Sequence, residues 1–174
     1  MATLLVLTLI GTCLVAEVTW SHRHEARLRA RGAVEADGDP YRWMQVAYPG
    51  GFAAMALESW WRGGPPRGWV LAGAAVFVVA KALKYAAIGA LGDRWSFRVL
   101  VLRDAPLVTR GPYRCLRHPN YVAVLGEFIA ALLLFGAPVT GTLATALFAV
   151  LLARRVRVEN AALGRARRPA AGRP

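Results

Sequence analysis

The chain has few of the residues that build disulfide frameworks and metal sites. It contains two cysteines, Cys13 and Cys115, and three histidines among 174 residues. The cysteines fall in regions that the hydropathy pattern assigns to different depths, so we expect no disulfide. His22 and His24 stand two apart in a basic stretch without a neighbouring cysteine, which is typical of solvated residues and predicts no metal site.

Acidic residues are also scarce, with ten Asp and Glu against 22 Lys and Arg and a formal net charge of +12. Such a charge can indicate nucleic-acid binding. However, no known nucleic-acid motif and no platform of alternating aromatic and basic residues accompanies it. The basic residues instead flank apolar runs, where they bind anionic lipid head groups. We therefore expect a membrane-lipid partner and no nucleic acid.

Hydrophobic residues make up 56% of the chain and the mean hydropathy is +0.38, more apolar than a typical soluble domain. An apolar helix needs about 17–25 residues to cross a bilayer. The prediction is an all-α, polytopic integral membrane protein of about five transmembrane helices, forming a single domain over residues 1–174. The long runs cover residues 2–20, 69–91 and 119–137, and the shorter ones cover 45–61 and 138–153.

Three features refine this layout. The first run lacks the basic n-region and cleavage site of a signal peptide, so we interpret it as a span. The last two runs meet at Gly136-Ala137-Pro138 without an intervening charge, which predicts a helical hairpin. Residues 164–174 have a biased composition that predicts a disordered tail.

Arginines are distributed unevenly among the segments between the runs. The positive-inside rule places arginine-rich segments in the cytoplasm, which puts the N-terminus outside and the C-terminus inside. A bias to arginine, alanine, valine and glycine indicates a GC-rich bacterial genome, hence a bacterial inner membrane. Residues 21–44 hold five arginines, 92–118 six and 154–174 seven, whereas 62–68 hold two and 136–138 none.

Five ionisable residues lie inside the predicted spans, where each is costly unless it pairs or reaches an interface. Lys81 and Lys84 share a helix face at i, i+3. They can extend toward the cytoplasmic head groups, or one can pair with Glu58 or Glu127, and the sequence leaves both open. The five are Glu17, Glu58, Lys81, Lys84 and Glu127.

The densest polar cluster, residues 110–127, stands directly against an apolar run. Pro119 is expected to begin a helix that continues through Phe135, since proline is tolerated in a first turn. Free N–H groups and the positive end of the dipole at that helix start favour a carboxylate or phosphate. The side chains expected around it are Arg117, His118, Asn120 and Tyr121.

The pattern Gly-Pro-Tyr-Arg-x-x-Arg-His-Pro-Asn-Tyr at 111–121 resembles the signature of the isoprenylcysteine carboxyl methyltransferase family, membrane enzymes that transfer methyl from S-adenosylmethionine. Arg155-Val-Arg-Val-Glu159 lies where that family carries an Arg-x-x-x-Glu element. Residues 91–96 and 31–35 are similar to the bacterial branch of alkylpyrone and alkylresorcinol O-methyltransferases, which are encoded beside type III polyketide synthases.

The resemblance implies S-adenosylmethionine as cofactor, with Arg155 and Glu159 as the catalytic residues. Without it, two charges four apart on a helix would indicate an ordinary surface ion pair. The cofactor carboxylate suits Arg117 and the helix start, the adenine can stack on a tyrosine, and His118 or Asn120 suits the ribose. The cofactor-binding residues are then Tyr113, Arg117, His118, Pro119, Asn120 and Tyr121.

The implied acceptor is lipophilic and enters from lipid, either alkylpyrone- or alkylresorcinol-like or an isoprenylcysteine carboxylate. Asn160 departs from the second acidic residue of the prenylcysteine enzymes, which disfavours the latter. For an acidic enol or phenol, Arg155 can hold the oxyanion while Glu159 orients Arg155 or binds the ammonium of the cofactor. An acceptor of high pKa needs a base, and His118 and Glu159 are the candidates.

Two other functions are compatible with the motifs. Related membrane folds with Arg-His-Pro signatures include phospholipid N-methyltransferases and NADPH-dependent sterol reductases. A non-catalytic membrane partner that tethers a type III polyketide synthase is the other alternative. Cofactor binding separates these possibilities.

Overall fold

A computed structural model describes residues 2–103 and 105–166 of the chain. Five α-helices, one short β-ribbon and two short 3₁₀ helices (Gly92–Arg94 and Gly111–Arg114) account for the regular structure of these residues. The elements in chain order are α1 (Ala2–Ala30), β1 (Val34–Glu35), α2 (Tyr41–Arg62), α3 (Arg67–Leu91), β2 (Leu100–Val101), α4 (Pro119–Phe135) and α5 (Pro138–Ala166).

Glycine and proline set several helix ends. Gly63 and Gly136 follow α2 and α4 with φ of +77° and +63°, a left-handed conformation that glycine adopts without steric cost. Pro119 is the first residue of α4, as predicted, and α4 ends at Phe135. α5 begins at Pro138 after two intervening residues, and it contacts α4 where Gly141 faces Leu132.

Within the described residues, three helices are long and apolar enough to cross a membrane, Thr3–Ala30, Arg67–Arg94 and Pro138–Ala166. α4 is apolar but has only 17 residues, and α2 is interrupted by Pro49. The helical membrane architecture is therefore confirmed for three helices. The count of five spans and the membrane hairpin stay predictions.

The structure corrects the sequence reading in two places. Residues 164–166 continue α5 instead of starting a disordered tail, and the rest of that predicted tail lies outside the described residues. α1 also runs ten residues beyond the predicted span, so His24 lies on a helix. Its Nδ1 is 2.9 Å from the carbonyl oxygen of Trp95, and it is not a solvated loop residue.

The ribbon is the exception to an all-α fold. Val34 pairs with Val101 and Glu35 with Leu100, in antiparallel register. Arg29 and Arg98 donate hydrogen bonds to the Glu35 carboxylate. Burial alone would raise the pKa of Glu35, but these two guanidiniums hold it below its usual value. The ribbon thus fastens the segment before α2 to the segment before α4.

Aromatic rings form the centre of the helix packing. Phe128 of α4 stacks on Phe52 of α2 at 5.0 Å and on Phe148 of α5 at 4.7 Å between ring centroids. Tyr48 meets the same group edge-on. Small residues let the helices approach this closely, since a Cβ added to Gly51 would lie 2.8 Å from the Phe128 ring.

We expect Gly73→Ala to destabilise the fold by about 1–3 kcal/mol, because α3 and α4 are too close to admit a methyl group. A Cβ there would lie 2.9 Å from Leu134 Cγ and 3.0 Å from the Ala130 carbonyl oxygen. Thermal unfolding in detergent measures the change. Gly68→Ala on the same helix is the control, since nothing lies within 4 Å. Equal stability of the two variants would contradict the close packing.

Candidate active site

The start of α4 carries the signature residues. His118 precedes the helix, and its carbonyl oxygen accepts hydrogen bonds from the N–H groups of Tyr121 (3.1 Å) and Val122 (3.3 Å). Pro119 has no N–H and is buried in the packing. The first turn therefore offers an external ligand fewer amides than predicted, chiefly that of Asn120.

Arg155, Tyr121 and Glu159 form one hydrogen-bonded chain. Arg155 Nε donates to Tyr121 Oη at 3.0 Å, and Tyr121 Oη donates to Glu159 Oε2 at 2.5 Å. Arg155 and Glu159 occupy one face of α5, so a single tyrosine from α4 bridges them. The predicted catalytic pair is thus not a direct ion pair. Tyr121 faces this pair.

His118 adds a titratable group to the same chain. Its ring stacks on Tyr121, with centroids 5.4 Å apart and planes 12° apart. His118 Nδ1 is 3.6 Å from Glu159 Oε2. His118, Tyr121 and Glu159 thus meet at one corner of the site.

Arg155 is only 4% exposed and also contacts the ribbon region. Its Nη1 lies 3.3 Å from Asp39 Oδ1, and its Nη2 donates to the carbonyl oxygen of Phe97. Nη1 is also 3.6 Å from Met44 Sδ. The guanidinium is thus contacted by the segments on both sides of the ribbon as well as by α4.

A cavity of about 690 Å³ opens beside these residues. Every predicted site residue lines it except Pro119. Polar groups line it where α4 begins, and Glu17, Gln45 and Lys84 line it elsewhere, whereas many of the remaining side chains from α1, α2 and α5 are apolar. These apolar side chains include Leu14, Val18, Met44, Phe148 and Leu152. Such a cavity suits a ligand with a polar head and an apolar body.

The remaining predicted ligands differ in burial. Arg117 is exposed, while Tyr113 is half-buried. Burial raises the pKa of the Tyr113 phenol, and the negative charge of Glu159 raises it further, so Tyr113 stays neutral at physiological pH. Asn120 Oδ1 is buried and lacks a hydrogen-bond partner among the described residues. A buried amide oxygen without a donor is costly, so a donor group of a ligand would be stabilised there.

Four charged side chains meet beneath the cavity. Lys81 Nζ lies 2.8 Å from both Glu17 Oε1 and Glu127 Oε1, and Lys84 Nζ lies 2.6 Å from Glu17 Oε2 and 3.2 Å from Glu127 Oε2. Tyr48 Oη also donates to Glu127, at 2.6 Å. We call Glu17, Lys81, Lys84 and Glu127 the charge quartet.

The quartet decides between the two hypotheses for the lysines, extension to the head groups and pairing with an acid. Lys84 is 2% exposed, so pairing with Glu127 is confirmed and extension to the head groups is wrong. Glu17 is a second partner that the sequence did not indicate. Glu58 is not part of the quartet, because it accepts from Arg62 and from the N–H groups of Val139 and Thr140 at the start of α5.

Sequence reasoning missed Asp39 and Phe97 as contacts of Arg155. Asp39 stands before Pro40 and α2, a place where an aspartate normally caps a helix. The α2 start has no side-chain cap, and the carboxylate turns to Arg155 instead. Only the pairing of the ribbon brings these segments to α5, and two-residue strands leave no periodic signal.

A protein-family comparison places the site residues inside a known family. Residues 73–165 match the isoprenylcysteine carboxyl methyltransferase (ICMT) family, a range that includes α4 and α5 with their site residues. No solved structure matches the chain significantly.

Two bacterial relatives match most of the chain. The uncharacterized protein YpbQ of Bacillus subtilis is 32% identical over 148 residues, which cover 85% of this chain and 88% of the relative. An uncharacterized protein of Haemophilus influenzae is 24% identical over 144 residues, covering 82% and 84%. The family match over more than half of the chain shows that this protein belongs to the isoprenylcysteine carboxyl methyltransferase family.

Proposed function

We propose that the protein is an S-adenosylmethionine-dependent O-methyltransferase that acts on a lipophilic hydroxyl acceptor at the cytoplasmic membrane face. The observation that carries this proposal is the Arg155–Tyr121–Glu159 chain at the wall of a cavity with one polar and one apolar end. Membership of a methyltransferase family supports the reaction type.

The polar end fits S-adenosylmethionine. The buried Asn120 Oδ1 lacks a donor and can accept from a ribose hydroxyl or the adenine amine. Tyr113 offers a neutral ring for stacking, and the exposed Arg117 offers a guanidinium for the carboxylate. When bound, the cofactor supplies an electrophilic methyl group on a sulfonium.

The apolar end fits the body of the acceptor. Val18, Phe148 and Leu152 come from helices that are long enough to span the membrane, so a chain can reach the cavity from lipid. Burial of an alkyl chain contributes about 0.8 kcal/mol per CH₂ group. This contribution holds the acceptor while its polar head lies near Arg155.

Arg155, Glu159 and His118 have separate tasks in the transfer. Arg155 donates a hydrogen bond to the acceptor oxygen and stabilises the charge that develops there. The hydroxyl proton passes to Glu159, directly or through Tyr121, and His118 can receive it next. The apolar walls keep water from the methyl group.

The sequence favours a hydroxyl over an isoprenylcysteine carboxylate as acceptor, because Asn160 stands where the prenylcysteine enzymes carry a second acidic residue. Charge alone does not separate the two acceptors, since Lys84, Arg117 and Arg155 line the cavity together with Glu17 and Glu159. An alkylpyrone enol or alkylresorcinol phenol fits better than an isoprenylcysteine, and a type III polyketide synthase would be the enzyme that supplies it.

The test is transfer of labelled methyl by the purified protein in detergent. A long-chain alkylpyrone is expected to accept methyl, and a farnesylated cysteine analogue to accept much less. Labelling of only the cysteine analogue would refute the hydroxyl acceptor and retain the methyltransferase. Binding of NADPH but not S-adenosylmethionine would favour a reductase. Binding of neither cofactor would favour a non-catalytic partner.

Asn120→Ala is expected to weaken binding of S-adenosylhomocysteine by about 0.5–1.5 kcal/mol, the scale of one neutral hydrogen bond. Calorimetry measures the affinity. Asn160→Ala is the comparison, because Asn160 is exposed and its amide can remain hydrated. An equal loss in both variants would argue against Asn120 as a direct cofactor ligand.

The proposed orientation places the arginine-rich segments and the cofactor site in the cytoplasm, with the N-terminus outside. Cys115 is exposed in the segment before α4, whereas Cys13 lies within α1. We expect an impermeant maleimide to label Cys115 in inverted inner-membrane vesicles but not in intact spheroplasts. A Cys115→Ser variant identifies the labelled site. Labelling from the outer face would reverse the topology.

A further inference from the structure

Asp39 lies between β1 and α2, outside the residues that match the family. Its side chain is only 4% exposed although it carries a charge. Oδ2 accepts the N–H of Val99 at 3.0 Å, and Oδ1 lies 3.3 Å from Arg155 Nη1. One carboxylate therefore joins the ribbon segment to the guanidinium of the active site.

The contacts of Arg155 define the plane of its guanidinium. Nε donates to Tyr121, Nη1 faces Asp39, and Nη2 donates to the Phe97 carbonyl oxygen. Three contacts at three nitrogens oppose rotation about the terminal bonds of the side chain. Nη1 also donates to Met44 Sδ, so the second N–H of Nη2 is the donor left to meet an acceptor oxygen.

Asp39 is the partner whose loss would most change this arrangement. Of the two contacts that Arg155 makes on the ribbon side, Asp39 carries a full negative charge, whereas Phe97 contributes a carbonyl dipole. Without the charge, the nearest carboxylate along the hydrogen-bonded chain is Glu159, so the guanidinium would be drawn toward Glu159. That shift would move Arg155 away from the oxygen of the methyl acceptor. It would also pair the guanidinium with Glu159, the proposed proton acceptor.

We propose that Asp39 is a positioning residue for methyl transfer, which fixes the orientation of Arg155 and keeps Glu159 free to receive the acceptor proton. This inference rests on the proposed function, but it makes a separate claim about the geometry of Arg155. A merely structural role would instead have Asp39 fasten the ribbon to α5, with no specific effect on turnover.

Asp39→Asn keeps an oxygen for the Val99 N–H and removes the charge. We expect kcat for methyl transfer to fall about 10- to 100-fold, the effect of a misplaced catalytic group, while the KM for S-adenosylmethionine changes little. Asp37→Asn is the matched control, because Asp37 is exposed two residues away. A wild-type kcat in Asp39→Asn would overturn the proposal.

A double-variant comparison separates positioning from folding. If Asp39 acts through Arg155, Asp39→Asn should cause no further loss of kcat in an Arg155→Lys background. If Asp39 only stabilises the ribbon, its effect should be the same in both backgrounds, which would overturn the proposal. Should Asp39→Asn fail to fold, Asp39→Glu keeps the charge on a longer arm and the same comparison applies.

A second readout does not depend on activity. In protein labelled with ¹⁵N-arginine, the Arg155 guanidinium signal is identified by its loss in Arg155→Lys. We expect Asp39→Asn to shift that signal and speed its rotation, and Asp37→Asn to leave it unchanged. An unchanged signal in Asp39→Asn overturns the inference. If Asp39→Asn shifts the signal but the wild-type protein transfers no methyl, the Asp39 contact is supported and the proposed function is refuted.

Discussion

Glu159→Gln is expected to lower the rate of methyl transfer by about 10²–10⁴-fold, the usual contribution of a positioned proton acceptor. Gln keeps the shape and can still accept the hydrogen bond that Tyr121 donates at 2.5 Å. It cannot take the hydroxyl proton or balance the charge of Arg155. Initial rates at saturating cofactor measure the loss.

The same variant should bind S-adenosylhomocysteine with nearly unchanged affinity, because the predicted cofactor contacts lie mainly at Tyr113, Arg117 and Asn120. Arg155→Lys is also expected to lose most activity, since a point charge cannot replace the contacts at Nε, Nη1 and Nη2. Arg154→Lys is the control, because Arg154 is the exposed neighbour of Arg155. Full activity in Glu159→Gln would show that the acceptor needs no base there.

Lys84→Met is expected to destabilise the protein by about 3–5 kcal/mol, the usual cost of removing one partner from a buried ion pair. Lys84 is 2% exposed and contacts both acids of the charge quartet. Its loss leaves Glu17 and Glu127 facing each other with only Lys81 between them. Unfolding in detergent with increasing denaturant measures the change.

Restoring charge balance should recover part of this stability. Lys84→Met combined with Glu17→Gln leaves one cation and one anion, so the double variant is expected to be more stable than Lys84→Met alone. Arg62→Met is the control, because Arg62 also pairs with an acid within 2.7 Å but is half exposed. Equal stabilities of Lys84→Met and Arg62→Met would mean that the quartet is hydrated.

The helices and the main site motif follow from local sequence. Pro119 has no N–H and a fixed φ, which suit the first residue of a helix, and the apolar run that follows forms α4. Arg155 and Glu159 share a face because four residues make about one helical turn. Long apolar runs form helices in a membrane because only internal hydrogen bonds satisfy the backbone there. These features depend on neighbours a few residues apart.

Contacts between distant segments were decided by the tertiary structure. Glu17 meets Lys81 and Lys84 across 64 and 67 positions, a pairing that depends on how α1 rotates against α3. Asp39 reaches Arg155 only because a two-residue ribbon brings the segment before α2 to α5. The sequence by itself determined which residues carry charge and which runs form helices. Tertiary packing alone chose the partners, because burial makes each charge take the nearest opposite charge, whatever its distance along the chain.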